Sequence, residues 1–207
     1  MSNMNDENRG ALALANAVPR PIGRVGILGA GSTGIGIAIR LLDADVSVAL
    51  FEADRALLDQ GMGLVRSACQ GAVAHGTLAP DRSQRRMALL AGTVYLHHLK
   101  DCDLIIDVSC TDLAGREALF RRLDQIAKPG AILMTNAAHG GVDRMAGCTR
   151  RAGDVLGWHA PGPANAGGVW DVVCGKETSA EALAGVIALA PIFPEAQAAL
   201  AASHSVT

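Results

Sequence analysis

The chain has 207 residues, half of them hydrophobic but only 3% aromatic, so it holds one domain with a core of Ala, Val, Leu and Ile, and a second full domain does not fit. A formal charge of −2, with Lys and Arg scattered rather than striped, offers nothing for nucleic acid or an anionic membrane to hold and leaves a small molecule as the expected partner. The five cysteines, Cys69, Cys102, Cys110, Cys148 and Cys174, lack CxxC spacing and disulfide-scaffold density, which fits a reducing compartment, by default the cytoplasm.

Residues 1–23 are polar or Ala-rich, contain Pro19 and Pro21, and lack the charged start and apolar segment of a signal peptide, so they read as a flexible N-terminal tail. No later apolar run approaches the roughly 20 residues that cross a bilayer. Residues 25–28 read as the first strand, 32–42 as its crossover helix and 46–51 as the second strand, because continuous apolar runs suit parallel strands buried on both faces. Apolar residues recur at helical spacing from 55 to about 75, Gly76-Thr77 interrupts them, and Pro80 opens a second helical stretch to 90. This pair is a helical hairpin inserted after the second strand. A short strand is expected at 94–96, a firm one at 104–108, and a helix at 113–127 with its N-cap at Thr111 or Asp112 and its stop at Pro129-Gly130. Strands are expected at 131–135, 155–158 and 169–173, with a short helix at 142–148 between the first two. Thr178 to Glu181 has capping-box spacing and opens a helix to about 190, which Pro191 and Pro194 stop. The fold class that follows is α/β: a Rossmann-type, doubly wound, mainly parallel sheet over 24–190, with 191–207 as a C-terminal tail.

The first turn of that unit carries chemistry. Gly29-Ala30-Gly31-Ser32-Thr33-Gly34 follows a strand and opens a helix, and Glu52 ends the next strand. A tight turn needs the first glycine, close approach of backbone to a pyrophosphate needs the second, and packing of helix on strand needs the third. The unpaired amides and dipole of a helix N-terminus favour the anion. A carboxylate about 20 residues on accepts from the adenosine ribose hydroxyls and repels a 2′-phosphate, so NAD is the expected cofactor rather than NADP. Arg55 is the one nearby cation suited to a 2′-phosphate, and Glu52 argues against it.

From Arg24 to about Ala190 the chain resembles the NAD-binding domain of the 3-hydroxyacyl-CoA dehydrogenases. The resemblance is carried by Gly29 to Ala38, Phe51-Glu52, Leu104-Ile105-Ile106-Asp107, Leu119-Phe120-Arg121-Arg122-Leu123-Asp124, Thr135-Asn136 and Gly157-Trp158-His159. It implies that His159, at a strand end, is the catalytic base and that Asp171 orients it. Oxidising a hydroxyl requires a proton to leave as hydride leaves the same carbon, and imidazole is the side chain that takes a proton near neutrality. A carboxylate on its other nitrogen fixes the tautomer and stabilises the imidazolium. The resemblance further implies Gly29, Gly31, Ser32, Thr33, Gly34, Glu52 and Arg116 at the cofactor, and Asn136, Ala138 and His139 at the substrate.

Several positions depart from the family pattern. Ala138 stands where a serine donates to the substrate oxygen, a loss of order 10²- to 10³-fold in rate; His139, one position on, is the candidate replacement donor. The orienting acid is Asp171 rather than glutamate, Gly162 replaces an asparagine, Thr111 replaces a glutamate near the nicotinamide ribose, and Arg116 replaces a lysine. Hairpin lysines that meet CoA phosphates are absent from 70–76, with Arg66, Arg82, Arg85 and Arg86 as loose candidates. The family's helical second domain has no counterpart after 190, so the expected pocket is open or completed by another copy or a partner chain.

Two functions fit: an NAD-dependent oxidoreductase acting on a 3-hydroxyacyl thioester, carried on CoA or a carrier protein, or a related hydroxy acid; and a catalytically weakened NAD-binding relative serving as a sensor or as a subunit of a larger assembly. No metal is expected, since the adjacent His97 and His98 would point to opposite faces of a strand.

Overall fold

The computed structural model describes residues 14, 16–109, 112–137, 141–159 and 171–193. Seven strands form one sheet: β1 (Arg24–Leu28), β2 (Ser47–Phe51), β3 (Leu90–Thr93), β4 (Leu104–Asp107), β5 (Ile132–Asn136), β6 (Val155–His159) and β7 (Asp171–Cys174). Their order is β3-β2-β1-β4-β5-β6-β7, with every pair parallel except β6 and β7. The chain runs outward from β1 to β3, then returns to place β4 on the other side of β1. The crevice beyond the C-terminal ends of β1 and β4 is therefore the point at which the strand order reverses, where open α/β sheets bind ligands.

Among the described residues six α-helices cover the sheet: α1 (Ser32–Asp43), α2 (Arg55–Ala74), α3 (Pro80–Ala88), α4 (Leu113–Ile126), α5 (Val142–Ala146) and α6 (Ala180–Ile187). Apolar residues from α1, α2 and α6 pack with Val25, Ile27, Val48, Leu50, Ile106, Leu156 and Trp158 on one face. Residues of α4 and α5 pack with Leu28, Ile105, Leu133 and Val155 on the other. Burial on both faces explains why the central strands read as unbroken apolar runs.

The inserted hairpin is α2 and α3, and Pro80 starts α3 as expected. The helical reading through residue 90 and the strand at 94–96 are corrected. Leu89 is the C-cap of α3, and Leu90 enters β3 beside Val48 of β2, while Leu96–Leu99 form a single 3-10 turn. Leu90 satisfies helical and strand spacing alike, and Ala91 and Gly92 carry no β-branched signal, so the boundary had no local marker. In that turn the rings of His97 and His98 lie 4.3 Å apart instead of on opposite faces.

Part of each expected tail is packed against the domain. Arg20 bonds the Asp154 carboxylate and the Gly130 carbonyl, and Ile22 packs against the core, so the segment just before β1 is fastened down. At the other end Ile192 and Phe193 pack on the core beyond α6. Of both expected tails, 1–13, 15 and 194–207 lie outside the described residues.

Candidate functional site

The glycine turn runs from the end of β1 into α1. Gly29 has φ +111°, a conformation reserved for glycine, and a side chain there would press on the backbone of Ser109 at 3.3 Å. Gly34 sits so close to the turn that a methyl group would run into the Gly29 carbonyl oxygen. Gly31 differs from both. Its φ of −74° suits any residue, and nothing of the protein lies within 4 Å of where a Cβ would stand. The space that a side chain would fill is left open in front of the first turn of α1. That helix has no side-chain cap and no acid in its first turn, so the amides at Ser32, Thr33 and Gly34 face the same space uncompensated. The hairpin supports the loop from behind, since Gly61 of α2 leaves room for Ala30, whose Cβ would be 2.9 Å from a Cβ at 61.

Glu52, just past β2, is held by its neighbours: Oε2 accepts from the Ala30 amide at 3.2 Å and Oε1 from the Ala53 amide at 2.9 Å. It borders an open cleft of about 300 Å³ whose apolar walls include Leu28, Phe51, Leu96 and Leu119, with Ser109 and Arg122 at its polar edge. That volume is at the lower end of the range of small-molecule and cofactor sites. Arg55 is occupied elsewhere, paired with Asp59 on α2 at 3.0 Å. An open space at Gly31, bare amides and a carboxylate beside an apolar cleft fit a dinucleotide, with the pyrophosphate at 31–34 and the adenosine along the cleft.

Arg116, expected at the cofactor, is 2% exposed on α4, is not among the residues lining the cleft, and its Nε donates to Asp107 Oδ2 at 3.0 Å. The pair forms because Asp107, the last residue of β4, points its carboxylate toward α4 and would otherwise be a buried charge alone.

His159 and Asp171 are directly opposed in the antiparallel register of β6 and β7, so their side chains share a face. Leu156 and Trp158 pack on one side and Val155 on the other, while Val173 packs with Val155, which puts both residues on the α4 and α5 side at the sheet's C-terminal rim. Gly157 lets α5 pack closely on that side: a Cβ there would be 2.5 Å from Val142 and 3.1 Å from Ala137. Asn136 ends β5 beside Trp158. Ala138, His139, Thr111 and Gly162 lie outside the described residues. Asp112 is the N-cap of α4, its side chain accepting from the Gly115 amide at 2.8 Å. Of the basic hairpin candidates, Arg86 pairs with Asp43 and Arg82 reaches the Asp43 carbonyl, whereas Arg66 and Arg85 are exposed.

Sequence reasoning gave no role to Asp107, Ser109, Trp158 or Thr135. The Trp158 indole donates to the Asp107 carbonyl at 3.0 Å, and the buried Thr135 hydroxyl has no hydrogen-bond partner. A polar residue ending the apolar run of β4 was the available signal for Asp107; side-chain bonds between residues 51 apart leave none.

This fold and turn define a dinucleotide-binding α/β domain. A sequence profile described as "3-hydroxyacyl-CoA dehydrogenase, NAD binding domain" matches residues 24–193, and the chain belongs to that family. It is 32% identical over 178 residues to the peroxisomal bifunctional enzyme of Danio rerio, covering 84% of this chain and 24% of that protein. It is 33% identical over 139 residues to a 3-hydroxybutyryl-CoA dehydrogenase of Mycobacterium tuberculosis, covering 67% of this chain and 49% of that one. Among solved structures, FadB2 of M. tuberculosis matches with a TM-score of 0.77 at 29% identity, over 86% of this chain and 63% of that chain. The 3-hydroxybutyryl-CoA dehydrogenase of Escherichia coli K12, at 24% identity and a TM-score of 0.78, shares the fold; the match covers 86% of this chain and 38% of that one. The chain thus spans a quarter to two thirds of the length of these relatives, and NAD is the cofactor for which its domain is built.

Proposed function

We propose that this protein is an NAD-dependent oxidoreductase that interconverts a 3-hydroxyacyl thioester, or a related hydroxy acid, and the corresponding ketone. The observation that carries the reading is the position of His159 directly opposite Asp171 in the strand register, at the same end of the sheet as the glycine turn. When bound, NAD supplies the hydride acceptor. A ring nitrogen of His159 takes the hydroxyl proton, and the Asp171 carboxylate fixes the ring and stabilises its protonated form. Gly29, Gly31, Ser32, Thr33 and Gly34 hold the pyrophosphate through backbone, Glu52 holds the adenosine ribose, and Asn136 positions the substrate or the nicotinamide.

The relatives reported above are named as enzymes, which supports the dehydrogenase over the sensor reading. The name of the M. tuberculosis 3-hydroxybutyryl-CoA dehydrogenase also supports CoA as the carrier, with a carrier protein as the other form of thioester. A second copy or a partner chain completing the pocket is part of the proposal. Among the described residues no helix is long and apolar enough to cross a membrane. A cytoplasmic location rests on the cysteine pattern, although four relatives are named peroxisomal.

The test is formation of NADH absorbance on a panel of 3-hydroxyacyl thioesters of increasing chain length, on CoA and on carrier protein. Turnover that falls about 10²- to 10⁴-fold in His159→Ala is expected. Wild-type turnover no faster than that control overturns the proposal. Ala138→Ser is expected to raise kcat by about 10²-fold, because it restores one donor to the substrate oxygen.

A further inference from the structure

Asp107 is bonded at both of its ends. Its carboxylate, 1% exposed, accepts from the Ser109 amide at 3.0 Å and the Ser109 hydroxyl at 2.5 Å on Oδ1, and from Arg116 at 3.0 Å on Oδ2. Its carbonyl accepts the Trp158 indole. Ser109 lines the cofactor cleft and backs directly onto Gly29, while Trp158 immediately precedes His159. Strands β4 and β6 are not neighbours: β5 lies between them, so the indole braces across two strand spacings, about 10 Å. The wall of the cofactor cleft and the strand of the proposed base therefore converge on one residue.

We propose that Asp107 is a positioning residue that fixes the separation between the cofactor wall and His159, its carboxylate clamped by Arg116 and its carbonyl braced by Trp158. This rests on the dehydrogenase reading above. It also gives the buried Arg116 cation a role that acts through Asp107 rather than on the cofactor. Misplacing a reacting group by about an ångström costs on the order of 10²-fold in rate, whereas the amides that follow Gly31 make no bond to the indole, which donates to the Asp107 carbonyl.

The experiment compares the full chain with Trp158→Phe, which keeps the aromatic bulk and removes the N–H. NADH affinity is read from nicotinamide fluorescence, melting temperature from thermal denaturation, the His159 ring environment from histidine NMR with and without NADH, and kcat and KM from turnover. Trp158→Phe is expected to hold the NADH Kd and KM within about twofold, lower kcat at least about 10-fold, and change the response of the His159 resonance to NADH. An unchanged kcat and His159 resonance overturns the positioning role. So does NADH affinity that falls in step with melting temperature, which marks a purely structural bond. Wild-type protein that fails to bind NADH overturns the functional reading and this proposal together, while normal NADH binding with an unaltered variant sinks this proposal alone. If Trp158→Phe does not fold, Arg116→Lys, which leaves the indole bond in place and alters the clamp, is judged by the same readouts.

Discussion

At the scale of single residues, three glycines in one turn have separable roles. Gly34 is needed by the fold, since any Cβ meets the Gly29 carbonyl, so Gly34→Ala is expected to destabilise the protein by roughly 1–3 kcal/mol through overpacking, measured by denaturant unfolding. Gly31 is not needed by the fold, because its backbone is ordinary and its side-chain space is empty of protein. Thr135 is the opposite case: its hydroxyl is buried on β5 without a partner, which costs roughly 1–3 kcal/mol for a lost hydrogen bond. Thr135→Val keeps the shape and removes the hydroxyl, so unfolding experiments should show a gain of up to about 1 kcal/mol; a loss of stability would mean that the hydroxyl is satisfied in solution. The glycines and Glu52 were legible in the sequence because the phosphate turn has a fixed spacing. The inward turn of Arg116 was not, because a charged residue near the expected site reads the same whether it faces ligand or Asp107.

At the scale of elements, the parallel strands and the hairpin were legible because burial on both faces leaves unbroken apolar runs and Pro80 marks a helix start. The edge strand β3 was displaced by a few residues, since an edge strand of Leu90-Ala91-Gly92-Thr93 has neither alternation nor β-branched enrichment. The last helix shows a one-residue shift of the same kind. Ser179, not Thr178, caps α6 by accepting from the Ala182 amide, and Thr178 instead links the Val155 carbonyl to the Gly175 amide. Only Thr178 has an acid three residues on, Ser179 being followed at that distance by Ala182, so the spacing rule points to the neighbouring hydroxyl and packing decides for Ser179. Ser179→Ala is expected to cost about 0.5–2 kcal/mol in denaturant unfolding, as for other helix caps. A smaller effect than for Thr178→Ala would place the main contribution in the loop bond instead.

At the scale of the molecule, the two edges of the sheet differ. The C-terminal edge carries the cleft, Gly31 and the His159 pair, while the opposite edge is held by ion pairs. Asp103 accepts from the Gly23 and Arg24 amides and from Lys128, and Asp124 is gripped by Arg150 and Arg151. Burial opposes ionisation of both carboxyls, but for Asp103 the Lys128 and amide bonds, and for Asp124 the two arginines, outweigh it and hold both below the usual carboxylate range. A depressed carboxyl contributes stability that is present above its unfolded value, near 3.8, and is lost as pH falls through the folded value. Melting temperature should therefore be level from about pH 5 to 8 and fall below about pH 4, less steeply in Asp103→Asn than in the wild type; equal acid slopes would show that the carboxylate bonds contribute nothing. The account as a whole stands on NAD resting against the bare amides that follow Gly31. Calorimetric titration of wild-type protein and Gly31→Val with NAD tests this most directly. The wild type should bind, and Gly31→Val should bind roughly 100-fold more weakly, about 2.8 kcal/mol, at an unchanged melting temperature. Equal affinity in the two proteins, or no binding by the wild type, would contradict it.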